Sequence, residues 1–395
     1  MYNLRGKSLL QAVFFFTFAS TPQLIFFLKK IFFALIVSLC FFSSCKVYRF
    51  FVRNFANITD YKFFAEHPLA HSTQPFHFFS SNNLNTPGKF LVKGFEDDTA
   101  SLDNILEASS TVAFLIIRHD TILYEKYFDR YTDSSWVASF SMAKSYVSAL
   151  IGIAIHEGLI KSVDEPITNY IPEMKDSSFK KVTIRHLLQM TSGIKFSEGY
   201  YSPFSDAAKF YYGTNLRKSI ENMKVEYEPG TKFEYKSGNS QLLGLIVERA
   251  TKKTVTQYMQ EKIWQPIGTE FNASWSTDRK KNGLEKTFCG INATARDFAK
   301  FGRLYLQNGN WNGTQVVPQE WVKESVTPDV KESGAKFYKY QWWLNQSSAH
   351  DFSCWGLLGQ HIMVFPDKDL IIVRLGKNER KQNYFKFFSE LIQKL

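Results

Sequence analysis

From Ser141 to Gly158 the chain is apolar on nearly every face of a helix, interrupted only by Lys144, Ser145 and Ser148 before His156. A helix without a wide polar stripe belongs inside a core, and Gly158 supplies its stop. Residues 111–118 and 121–128 read as β-rich runs on either side of His119-Asp120, which predicts a hairpin. Residues 132–135 form a turn. A helix is predicted over 182–190, ended by Thr191-Ser192-Gly193, and a loop or short helix over 203–213. Further helices are predicted over 240–250, 255–263 and 295–307. The C-terminal part changes period. Strands are predicted over 337–344, 357–365 and 370–375, the last two joined by a turn at Pro366–Asp369, and 383–395 closes as an amphipathic helix. Strands at both ends around a helical middle imply an α+β fold: one antiparallel sheet drawn from distant segments, flanked by helices, with an inserted helical region. The cleft between sheet and insertion is where a site is expected.

The N-terminal hundred residues behave differently. Lys29-Lys30 precede the apolar run 31–42, and Ser43-Ser44-Cys45 follow. Positive charge, a short apolar stretch and small residues describe an export signal. Small residues before a cysteine are similar to the lipobox of bacterial lipoproteins, so Cys45 is the expected lipidation site, with Phe42 in place of the usual leucine. A second apolar run over 9–18, broken from the first by Pro22, leaves an uncleaved anchor or a different start as alternatives. Residues 46–100 mix aromatic, polar and proline residues with little periodicity and read as a tether wrapping the surface. The expected organisation is therefore 1–45 signal or anchor, 46–100 tether and 101–395 folded domain, in an exported, membrane-anchored protein of the cell envelope.

Composition adds constraints. The 395 residues carry a net charge of +11. Arg5, Lys7, Lys29 and Lys30 would leave with the signal. The remaining lysines are interspersed with acids, a solvated surface that gives no reason to expect a nucleic-acid partner. No zinc-binding spacing occurs; His67 and His71 are separated by Pro68 and read as loop residues. A phosphate-binding loop and a G-x-S-x-G elbow are both absent. Cys289 and Cys354 would remain in the mature chain, and sequence leaves open whether they pair.

Candidate chemistry sits at the head of the buried helix, in Ser141-Met142-Ala143-Lys144. A serine hydroxyl is a weak nucleophile and needs a base. Lys144, at i+3, shares its helix face. Burial and the positive helix end both disfavour the ammonium form, so this lysine can accept the serine proton. The N–H groups of the first turn can hold an oxyanion. The same S-x-x-K spacing recurs from Ser43, Ser177, Ser178, Ser192 and Ser333, but only Ser141 opens a buried helix.

Residues 102–395 resemble the penicillin-recognising serine hydrolases, the superfamily of class C β-lactamases, D-alanyl-D-alanine carboxypeptidases, related esterases and 6-aminohexanoate-dimer hydrolases. The matching segments occur in order: Ser141–Lys144, His186-Leu187-Leu188 with Thr191-Ser192-Gly193, Glu228 to Tyr235, Gln241 to Gly244, Ala295-Arg296-Asp297 and Phe301-Gly302-Arg303. The resemblance implies a β-lactamase/transpeptidase-like fold and Tyr235 as a second member of the proton relay. It also implies an oxyanion hole from the N–H groups of Ser141 and Leu357, and it calls for no metal or organic cofactor. Ser237 stands where lactamases carry an asparagine. Trp355-Gly356 stands where they carry a cation for the substrate carboxylate, a departure that weighs against penicillin binding. Ser237, Gly356, Tyr200 and Trp343 are the expected substrate contacts, Tyr200 from the loop after Gly193; Tyr201 and Trp342 are further aromatic candidates for the cleft. Glu198 and Arg185 read as surface or structural ion pairs. The expected activity is cleavage of a small ester or amide through an acyl-enzyme on Ser141. The alternatives are a carboxypeptidase or β-lactamase acting on peptidoglycan or β-lactams, and a non-catalytic envelope-binding protein.

Overall fold

The computed structural model describes residues 28–32, 49–51, 55–94, 99–346, 350–378 and 384–395. Cys45 and most of the apolar run before it lie outside these residues. Among the described residues no helix is long and apolar enough to cross a membrane.

The fold is organised by β3 (Thr111–Arg118) and β12 (Leu370–Gly376), two β-branched strands buried almost throughout and paired antiparallel from Leu370↔Arg118 to Gly376↔Thr111. They sit inside an eight-stranded sheet. With β2 (Phe79–Ser80), β4 (Thr121–Tyr127), β8 (Tyr338–Lys339), β9 (Trp342–Leu344), β10 (Phe352–Gly356) and β11 (Gln360–Phe365), the order is β8-β9-β10-β11-β12-β3-β4-β2. All pairs are antiparallel except β2 with β4. Side chains alternate across β3 as its period requires. Phe114 and Ile116 face α1 (Leu102–Ala108) and α7 (Tyr384–Ile392) in a smaller core with Ile372 and Phe388. Ala113, Leu115 and Ile117 face the main core with α2 (Ala143–His156) and α6 (Ala295–Leu306).

Helix α2 is buried from Ala143 to Ala154, which answers to its lack of a polar stripe. It stops at His156, and Gly158 takes the left-handed conformation (φ 72°) that ends such helices without a Cβ clash. The insertion contributes α3 (Ile184–Leu188), α4 (Asp206–Tyr212) and α5 (Ser237–Thr251). The β3–β4 hairpin turns at His119 and Asp120, both at positive φ, with His119 Nδ1 2.6 Å from Asp369 Oδ2.

Several sequence expectations are corrected. Residues 337–344 are two strands, not one. Tyr340 and Gln341 turn the chain at positive φ (39° and 69°) without the glycine or asparagine that signals such a turn. The strand expected over 357–365 begins only at Gln360. Leu358 and Gly359 (φ 65° and 79°) make a tight turn from β10, a strand missed in the sequence. The helix expected over 255–263 is α-helical to Met259 and continues as a π-turn. The expected helix over 182–190 shrinks to α3, between the capping box of Thr183 and His186 and the positive φ of Met190.

Residues 46–100, read from their weak periodicity as a tether wrapping the surface, carry β1 (Ala65–Leu69). It joins a second antiparallel sheet, β1-β6-β7-β5, with β6 (Ala273–Thr277), β7 (Ile291–Ala293) and β5 (Val137–Ala138). Its one-sided alternation and Pro68 at the edge of the sheet hid it. His67 therefore lies in a strand rather than a loop, and its Nδ1 is 2.8 Å from Glu285 Oε1. His71 contacts Asn272.

Candidate active site

Strand β5 delivers the chain to Ser141. Its exit is held by Ser139 N–H, which donates to the Ile291 carbonyl at 2.7 Å. Phe140 then adopts φ 45°, a conformation that costs a bulky L-residue about 1–3 kcal/mol. A single 3-10 turn, Phe140–Met142, carries Ser141 into α2. The sharp entry leaves Ser141 partly exposed while Lys144, one turn on, is 1 % exposed.

Lys144 Nζ lies 2.9 Å from Ser141 Oγ and donates to the Phe288 carbonyl at 2.8 Å. Burial pushes its pKa down to about 8, against the smaller opposing pull of Glu198 and Cys289. The second relay candidate is close: the Tyr235 ring centroid is 5.2 Å from Lys144 Nζ. That ring stacks on Trp343 at 5.5 Å and meets Tyr338 edge-on. Trp343 in turn stacks on Trp355 at 4.8 Å. The aromatic row thus runs from Tyr235 to Trp355.

Across the cleft, Gly356 ends β10 against the turn that carries Ser141. A Cβ at this residue would come within 2.2 Å of the Ser139 carbonyl, so the close approach requires glycine. Leu357 follows and lines the same recess as Ser141. The Gln360 side chain fixes this turn. Its amide donates to the Leu357 carbonyl at 3.0 Å and the Gly376 carbonyl at 2.7 Å, and its oxygen accepts from Gly376 N–H at 3.1 Å. The buried Arg374 guanidinium adds a bond to the Gly359 carbonyl at 2.6 Å.

Ser237 opens α5 and turns toward the loop after Gly193. Its N–H donates to Glu198 Oε2 at 2.8 Å and its hydroxyl to Glu198 Oε1. The Tyr200 hydroxyl donates to the same Oε1. Glu198 is therefore no surface ion pair, as the sequence had suggested. It is a carboxylate at the site, tying Ser237 and Tyr200 together within electrostatic reach of Lys144. The signal that could have found it is its place in the loop carrying Tyr200. Arg185 does form a structural pair, with Asp164 at 2.7 Å and the Tyr340 hydroxyl at 2.9 Å.

The structure thus brings Ser141, Lys144, Tyr235, Ser237, Tyr200, Gly356, Leu357 and Trp343 to one cleft. Two aromatic candidates fall elsewhere. Trp342 is fully buried against Tyr305 (4.3 Å) and Phe301 (5.8 Å), because neighbouring residues of a strand point to opposite faces. Tyr201 is 78 % exposed beside Phe55. Cys289 lines the recess and Cys354 lies in the core; both thiols are free and buried, and burial pushes Cys289 up to about 12, which makes it a poor nucleophile. Among the described residues no cluster of histidine, cysteine or carboxylate side chains is arranged to hold a metal ion.

Known proteins carry the same arrangement of chain. Residues 102–383 match the Beta-lactamase family. The 6-aminohexanoate-dimer hydrolase of Paenarthrobacter ureafaciens is 28 % identical over 295 residues, spanning 70 % of this chain and 74 % of that protein. A Bacillus anthracis structure provisionally described as a 6-aminohexanoate-dimer hydrolase superposes with a TM-score of 0.77 at 26 % identity, over 86 % of this chain and 92 % of that one. A family VIII carboxylesterase shares the fold at 16 % identity, with a TM-score of 0.59 over 74 % of this chain and 95 % of its own. A buried lysine beside a serine at the head of a core helix, on this sheet and in this order of segments, places the chain in the β-lactamase family, as a serine hydrolase.

Proposed function

We propose that the protein hydrolyses small or linear carboxylic esters or amides through an acyl-enzyme on Ser141. The observation that carries this reading is Lys144 Nζ, buried and 2.9 Å from Ser141 Oγ. Ser141 Oγ attacks the carbonyl carbon as its proton passes to neutral Lys144. The backbone N–H groups of Ser141 and Leu357 hold the oxyanion. Collapse breaks the bond to the alcohol or amine, which leaves with a proton returned through Lys144 and Tyr235. Water then adds to the acyl ester, gives a proton to the same base and releases the carboxylic acid, and Ser141 recovers its own. The chemistry requires no metal or organic cofactor.

An amide substrate is supported by the 28 % identical relative, which is a 6-aminohexanoate-dimer hydrolase. Two features weigh against substrates that need a cation for their carboxylate. Trp355 stands where the lactamase resemblance calls for a cation, and Glu198 adds negative charge beside Ser237. The test compares wild type with Ser141→Ala on p-nitrophenyl butyrate, on the 6-aminohexanoate dimer and with a fluorescent penicillin. Turnover of an ester or amide that disappears in the variant supports the reading. Penicillin capture on Ser141 without ester or amide turnover replaces it with the peptidase or lactamase reading. Export and anchoring through Cys45 remain part of the proposal, supported by Lys29-Lys30 and the apolar run that follows; loss of lipid labelling in Cys45→Ala is the check.

A further inference from the structure

Beside Ser141 the cleft continues into an apolar recess whose occupant the reaction chemistry does not name. Phe140, Ala207, Ala208, Tyr211 and Phe288 wall it, and Ala56 closes it from the N-terminal segment. Ser141 and Leu357 open onto the same space. No lysine, arginine, aspartate or glutamate lines it.

The N-terminal wall is built in, not laid on. The Tyr211 hydroxyl donates to Asp60 Oδ2 at 2.9 Å, and Asp60, 5 % exposed, also accepts from Asn57 N–H at 2.9 Å. The polar end of Tyr211 is thereby committed, and its ring is left as an apolar surface. That ring meets Phe64 edge-on at 5.0 Å and stacks on Phe140, the residue before the nucleophile, at 6.4 Å. The Ile58 carbonyl accepts from Ala138 N–H at 3.1 Å, on the strand that leads to Ser141. Residues 56–64 are therefore stapled both to α4 and to the approach of the nucleophile.

We propose that residues 56–64 and α4 together form a subsite for an uncharged aliphatic chain flanking the scissile carbonyl. The inference rests on the reading of Ser141 as nucleophile. An uncharged wall gains from each buried methylene, roughly fourfold in kcat/KM per methylene when burial is complete. A charged chain end would lose its hydration with no partner.

The experiment uses two series: p-nitrophenyl acetate, butyrate and hexanoate to vary the acyl group, and ethyl, butyl and hexyl acetates to vary the alcohol. Wild type, Ala56→Trp and Ala208→Phe are compared, each titrated for active serine with a fluorophosphonate. In wild type, kcat/KM rises with chain length in one series. In both variants the long-to-short ratio falls at least tenfold while the serine still labels. A wild type without a rise in either series, or a rise that survives both substitutions, overturns the subsite. A wild type whose Ser141 does not label overturns the nucleophile reading itself. One measurement needs no variant: a terminal carboxylate on the longest chain of the rising series should cut kcat/KM at least tenfold, and an equal rate would sink the proposal.

Discussion

At the scale of single residues, the proposed chemistry turns on the charge state of Lys144. A lysine held at about pH 8 by burial is mostly protonated at neutral pH, so its basic fraction grows as pH rises through that value. The expected outcome is a kcat/KM that climbs through a midpoint near pH 8 and levels off above it, read from ester hydrolysis across pH 6–10. Glu198 opposes the effect of burial, because its negative charge favours the ammonium. Glu198→Gln should therefore move the midpoint to lower pH. A midpoint that stays fixed or rises would show that Glu198 acts only on Ser237 and Tyr200. The same substitution weakens two hydrogen bonds to Ser237, so KM is expected to rise severalfold.

At the scale of elements, the proposed oxyanion hole depends on a hairpin turn, not on a side chain that touches substrate. Gly356 lets β10 approach the Ser139 carbonyl, and Gly356→Ala must push the two apart. Overpacking of this kind costs about 1–3 kcal/mol, and the separation should cut kcat far more than it lowers the melting temperature. Gln360 clamps the turn from beneath through three bonds to backbone. Removing an oxyanion donor outright costs about 10²–10³ in kcat. Gln360→Leu, which only loosens the donor, is expected to cost roughly tenfold with KM little changed. Equal loss of kcat and of folded protein would mean the glutamine serves stability alone.

At the scale of the whole molecule, the N-terminal segment is part of the fold. Strand β1 covers the edge of β6 from Ala65↔Thr277 to Leu69↔Ala273, and Ala56 and Asp60 bear on the recess beside Ser141. A protein begun at residue 101 would expose the β6 edge and open that recess. Compared with one begun at residue 46, it is expected to aggregate or to melt several degrees lower. A truncated protein that melts and turns over esters like the longer one would refute this.

Much of the site was legible because it is written in consecutive residues. The S-x-x-K spacing, the all-round apolar helix after it and the glycine that stops it pointed to Ser141 and Lys144 as the proposed nucleophile and base and to the burial of that lysine. Strands Thr111–Arg118 and Leu370–Gly376 were equally plain, since β-branched residues buried on both faces leave few other readings. What stayed hidden was set by contacts between distant segments. The hairpin at Tyr340 and Gln341 lacks turn residues, and the one between β10 and β11 was absorbed into a single strand; tertiary packing holds both at positive φ. Trp342 and Trp343 are indistinguishable in sequence, yet strand geometry sends one to the core and the other to the cleft. Glu198 became a site residue, and Ala56 a wall of the recess, only when folding brought their loops to Ser237 and Ser141. Local sequence fixes which groups can do chemistry; long-range packing alone decides what stands beside them.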